Sequence, residues 1–124
     1  MEQRFYKCER CGQIIAIVKN TGIPIICCGE EMKELLPGTT DAAVEKHVPV
    51  YEIKDGKVLV TVGSIEHPAT EEHHIEWISI QTKQGNQRKE LAAGQAPKAC
   101  FALCEGDEVQ AVFAYCNLHG LWKA

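Results

Sequence analysis

The sequence predicts an all-β protein in two unequal modules, a small one held by metal and a larger antiparallel sandwich or barrel. Three observations predict it. No stretch carries a long 3.6-residue apolar period, and only residues 41–46 read as a helical turn. Short runs rich in β-branched residues recur at regular spacing with turn residues between them. The 124 residues also divide at Pro37-Gly38-Thr39-Thr40. Four of the seven cysteines and no histidine precede that turn, and all five histidines come after it.

Residues 1–36 form the first module, 37–40 the linker and 41–124 the second module. A module of about 36 residues is too small to be stable on a hydrophobic core alone, so it needs a metal, a partner surface or both. Residues 4–7 and 14–18 read as short strands around its first cysteine pair. In the second module, 50–54 and 57–63 flank Asp55-Gly56, a two-residue hairpin signal. Val58, Val60 and Val62 alternate with Leu59 and Thr61, which suits a half-buried strand. Residues 75–81 continue in that style, and 100–104 and 109–116 flank Glu105-Gly106-Asp107.

Composition narrows the function. Hydrophobic content of 45% with 24% charged residues is globular. A net charge of −4 and a pI near 5.7 exclude the basic face that nucleic acid requires. The longest apolar runs, such as 23–28, are far too short to span a membrane, and the first residues lack the apolar core of a signal peptide. The expectation is a soluble, cytoplasmic protein. Seven cysteines is an odd number, unlike a secreted disulfide framework, and clustered cysteines in a reducing compartment bind metal or do redox chemistry.

Cys8-x-x-Cys11 followed by Cys27-Cys28 supplies four thiolates, a tetrahedral set suited to zinc or iron. Spacing alone favours zinc. The adjacent pair constrains the backbone, because neighbouring side chains on extended chain point to opposite sides. Both sulfurs reach one ion only if the chain bends there, and the tetrahedron should be distorted.

The second module carries His47, His67, His73, His74, Cys116 and His119. Cys116-x-x-His119 sits in a tight turn marked by Asn117 and Gly120. Should four imidazoles and a thiolate converge, they exceed the four ligands zinc takes. Blue copper is the rival, but its axial methionine is missing, since the only methionines are Met1 and Met32. Five N/S ligands leave one octahedral position open on iron, which means small-molecule chemistry.

Together the segments YKCERCG (6–12), CCGEEM (27–32), EKHVPV (45–50), HPATEEHHIEWI (67–78) and YCNLHGLWKA (115–124) resemble the desulfoferrodoxins. These are two-iron-site superoxide reductases, with a desulforedoxin-like module ahead of a neelaredoxin-like domain. The resemblance spans nearly the whole chain. It implies a distorted rubredoxin-like iron on Cys8, Cys11, Cys27 and Cys28, and a catalytic iron on His47, His67, His73, His119 and axial Cys116. It further implies an immunoglobulin-like sandwich and a homodimer. Superoxide would be reduced to hydrogen peroxide, and an electron donor such as rubredoxin would re-reduce the iron. Glu45 and Lys46 match the family's mobile pair at the open position, where the lysine assists superoxide and the glutamate can ligate ferric ion. His74 stands where the family commonly has an aromatic residue. Cys100 and Cys104 match no ligand and are expected to be buried thiols.

Four neutral imidazoles and one thiolate on ferrous iron leave a net charge of +1, and Lys46 adds another. On an acidic chain, attraction for a small anion is thereby confined to that one site.

Overall fold

A computed structural model describes all residues, 1–124, and divides them into two compact units, Met1–Leu36 and Pro37–Ala124. In the first unit, β1 (Arg4–Lys7) pairs antiparallel with β2 (Ile14–Ile17) and β5 (Lys33–Glu34), and β3 (Ile26–Cys27) forms a small ribbon with β4 (Glu30–Glu31). Among its hydrophobic side chains only Phe5, Cys8 and Met32 are buried, while Val18, Ile23, Ile26 and Leu36 are exposed. That is too little apolar burial to offset the chain entropy of 36 residues, which agrees with a module held by something other than its core.

The second unit is a two-sheet sandwich. One sheet orders β10 (Lys98–Ala102), β7 (Lys57–Val62) and β6 (Pro49–Lys54). The other orders β12 (Gly120–Lys123), β11 (Val109–Cys116), β8 (Ile75–Thr82) and β9 (Gly85–Glu90). All pairings are antiparallel. The alternation expected for 57–63 appears directly: Val58, Val60 and Val62 are buried against Ile78, Ile80, Val112 and Phe101. Burying each such side chain contributes about 1.5–3 kcal/mol. The Asp55-Gly56 hairpin forms with both residues at positive φ, 51° and 71°, as its tight turn requires.

Differences from the sequence expectation are local. The helical turn is Val44–His47 rather than 41–46. The strand expected at 100–104 runs Lys98–Ala102, and β9 and β12 have no counterpart in the expectation. β9 is almost wholly polar and exposed, and forms only because it pairs along β8 from Gly85 to Glu90. Cys100 and Cys104 are both exposed, not buried. Cys100 pairs with Leu59, whose side chain faces away from the Val58–Val62 core, and Cys104 lies past the strand end in a turn closed by the Asp107 amide.

Candidate metal centres

The first cluster is built by two tight turns. The Gly12 amide donates to Cys8 O (2.9 Å), and Gly12 at φ +81° turns the Cys8–Cys11 loop back on itself. The bend that the adjacent pair requires falls on Cys28 itself, a non-glycine residue at φ +54°, followed by Gly29 at +73°. The four sulfurs then lie within 4.8 Å of one another. Cys11 Sγ is 3.6 Å from Cys27 Sγ, and Cys27 Sγ is 4.0 Å from Cys28 Sγ. Sulfurs about 2.3 Å from a tetrahedral ion stand about 3.8 Å apart, so the set fits one ion, and the adjacent pair is the wider of these two edges.

Acidity points the same way. Amide donation from Cys11 draws the Cys8 thiol down to about 6, whereas Cys8 and Cys11 beside it push Cys27 up to about 12. Thiols this close do not all ionise without a cation among them.

The second cluster draws on four separate segments. Helical turn α1 (Val44–His47) presents His47, the loop after β7 presents His67, and the approach to β8 presents His73. The end of β11 presents Cys116, and the turn from β11 to β12 presents His119. A bulge sets Cys116 opposite Ile75 while Tyr115 faces Trp77, leaving Glu76 in solvent and turning Ile75 inward. Donor atoms of His47, His67, His73 and Cys116 lie within 4.8 Å of one another. His119 Nδ1 comes within 3.1 Å of His47 Nε2 and 3.9 Å of Cys116 Sγ. His47, His67 and Cys116 are buried.

The hydrogen bonds assign the tautomers. His47 Nδ1 donates to Ala43 O and His67 Nδ1 donates to Pro68 O, each at 2.7 Å. Their Nε2 atoms are therefore bare, yet they face one another at 3.2 Å. His73 Nε2 is buried with no hydrogen-bond partner. Burial pushes His67 down to about 4 and lowers His47 and His73 as well, so all three are neutral at pH 7. Converging lone pairs in a buried site are repulsive unless a cation lies between them. Burial raises the Cys116 thiol, against the opposing pull of the Leu118 and His119 amides.

His73 and not His74 joins the cluster. His74 is partly buried, with its Nδ1 unpartnered. Glu45 and Lys46 are exposed on α1. Lys46 directly precedes His47 in that helical turn, and Glu45 precedes Lys46.

Two supporting residues escape a reading of the sequence alone. Asn117 clips the 72–74 loop to the Cys116–His119 turn: its Oδ1 accepts from the His74 amide (3.0 Å), its own amide donates to His74 O (3.2 Å) and its Nδ2 to Glu72 O (2.9 Å). Trp122 lies against the His47 ring at 4.9 Å and donates from Nε1 to His119 O at 3.1 Å. Both belong to the same short segment as the ligands Cys116 and His119, and that proximity is their only signal.

Fold and sites define a class: an all-β protein with one four-sulfur centre and one centre of imidazoles and a thiolate. The Desulfoferrodoxin family model matches residues 39–124, and the model of the Desulfoferrodoxin N-terminal domain matches 1–35. The chain belongs to the desulfoferrodoxin family. It is 46% identical over 123 residues to the desulfoferrodoxin of Nitratidesulfovibrio vulgaris, covering 99% of this chain and 96% of that one. It is 47% identical over 120 residues to the protein of that name in Desulfarculus baarsii, covering 96% and 93%. The superoxide reductase of Treponema pallidum superimposes over 100% of this chain and 99% of its own, with a TM-score of 0.85 and 38% identity. A 1Fe superoxide reductase from Giardia intestinalis covers 64% of this chain and 95% of its own, with a TM-score of 0.56 and 35% identity.

Proposed function

We propose that the protein is a superoxide reductase, converting superoxide to hydrogen peroxide at an iron held by His47, His67, His73, His119 and Cys116. A second iron sits on Cys8, Cys11, Cys27 and Cys28 in the desulforedoxin-like module 1–36, and the catalytic domain is 41–124. The observation that carries this reading is the set of bare imidazole nitrogens converging beside a buried thiol. Iron held by these residues would supply the one electron that superoxide takes up. The chain does the rest. Neutral imidazoles and a single thiolate keep the site mildly cationic in its ferrous state, so a small anion is attracted and not repelled. Lys46 and Glu45 are the catalytic pair, the lysine ammonium drawing the anion in from solvent.

An external donor such as rubredoxin returns the electron. Supporting a docking partner there, Val44, Ile65 and Leu118 are exposed and each lies within three residues of His47, His67 or His119. A homodimer is supported by edge strand β6. Its Tyr51 and Ile53 pair with Val60 and Val58 on the core side of the sheet, yet they remain 39% and 55% exposed. The odd cysteine count supports a reducing cytoplasm. No helix is long and apolar enough to cross a membrane.

Iron analysis together with a visible spectrum, before and after superoxide is added to the reduced protein, tests the reading. Two irons per chain and a band that appears as the second centre oxidises are expected. A colourless zinc protein, or a spectrum unmoved by superoxide, contradicts it.

A further inference from the structure

Gly63 follows β7 and begins the turn that leads to His67, and it is buried at φ +84°. No side chain fits there. A Cβ would stand 2.7 Å from Lys46 O and 2.8 Å from Glu45 O, and nearer still to Ile65 O. All three obstacles are backbone, so none can swing aside. Glycine is thus required both for the left-handed conformation and for close approach to the segment that carries the catalytic pair.

That contact is reinforced on both sides. The Gly63 amide donates to Val48 O (3.2 Å), the Ile65 amide to Glu45 O (3.0 Å), and Ser64 Oγ to Glu45 O (3.3 Å). Around α1, Lys46 N donates to Ala43 O (3.2 Å), Val48 N to Val44 O (3.0 Å) and His47 Nδ1 to Ala43 O (2.7 Å). A four-residue helical turn with no side-chain cap is not stable by itself, so its position is set by what it rests on.

We infer that Gly63 is a positioning residue for the reaction: the turn 63–65 is the seat that holds the Glu45–Lys46 backbone and so aims the Lys46 ammonium at the metal centre. The inference rests on the superoxide reductase reading. It adds that the exposed lysine is aimed by backbone packing beneath it. The sandwich core ends at Val62, and the seat transmits that rigidity to α1.

The test is a double-mutant comparison on the iron-loaded protein. Gly63→Ala should slow the bimolecular reaction with superoxide by about five- to tenfold, through misplacement of the lysine. In a Lys46→Ala background it should slow it by less than about twofold, because nothing is left to aim. Hydrogen exchange at the Val48 and Ile65 amides should accelerate in Gly63→Ala, while exchange at Ile78 and Val112 in the core stays as in the wild type. An equal slowing in both backgrounds overturns the inference, as does an unchanged rate with accelerated exchange. Should Gly63→Ala fail to load iron, Ser64→Ala removes one bond of the seat without steric conflict. It should slow the reaction by about twofold only when Lys46 is present, and any other result overturns the inference. A wild type inert to superoxide instead removes the functional reading and is recognised before any variant is made.

Discussion

The two metal clusters reach convergence by opposite routes. In Met1–Leu36 all four ligands come from two tight turns, two of the sulfurs (Cys11 and Cys28) are exposed, and little apolar surface is buried. In Pro37–Ala124 the ligands come from four segments tied to a packed sandwich, and His47, His67 and Cys116 lie almost wholly out of solvent. The first unit is folded by its ligands; the second is folded around them. The difference amounts to a division of labour. The small unit depends on its ligands for its fold, and the large unit is packed well enough to hold converging lone pairs beside a buried thiol.

The largest effect should come from breaking one centre at a time. Cys116→Ser should reduce the rate with superoxide by more than about a hundredfold while leaving the four-sulfur iron and its colour in place. Cys11→Ser should do the reverse, losing the first iron and keeping superoxide reduction. Pulse radiolysis with metal analysis measures both, and a folded, second-site-loaded Cys11→Ser protein without activity would end the division of labour.

Metal removal should separate the units next. Chelation should unfold residues 1–36 and leave the sandwich protected, read by amide exchange across both. Equal protection in the small unit with and without metal would show that its few buried side chains suffice.

In the metal-free protein the sandwich should carry a histidine pH signature, since residues 1–36 hold no histidine. His67 has its folded value near 4, below the ordinary 6.5, so the unfolded chain binds its proton more readily. The contribution of neutral His67 to stability is present above about pH 6.5 and is lost as pH falls towards about 4. Denaturant midpoints of the metal-free sandwich across that window should fall with pH. A flat profile would mean that the histidine is not desolvated.

The smallest effect concerns Lys46. Lys46→Ala should slow the reaction about tenfold, equivalent to about 1.4 kcal/mol, with iron content and spectrum unchanged. Added salt should slow the wild type more than the variant. Matching salt slopes would make Lys46 a bystander.

Much of this is legible in the residues, and the rest is not for identifiable reasons. Ligand types and their order are local patterns, and the bend at Cys27-Cys28 comes from peptide geometry, so φ +54° at Cys28 is expected in kind. The β7 alternation is equally visible because period two is written into Val58, Val60 and Val62. β9 carries no apolar pattern, being specified by its partner strand, and so is invisible. Whether Cys100 faces in or out depends on strand register, which one sequence does not disclose. Asn117 and Gly63 act through backbone carbonyls and amides of distant segments, and Trp122 through the His47 ring, contacts that exist only after folding.

The central claim is that the imidazole–thiolate centre reduces superoxide and does not dismutate it. The most direct measurement is the hydrogen peroxide formed per superoxide consumed, by the reduced protein under single turnover without added donor. Reduction predicts one peroxide for each superoxide, with one centre oxidised for each. Half a peroxide per superoxide, with the centre's oxidation state unchanged, would contradict the account.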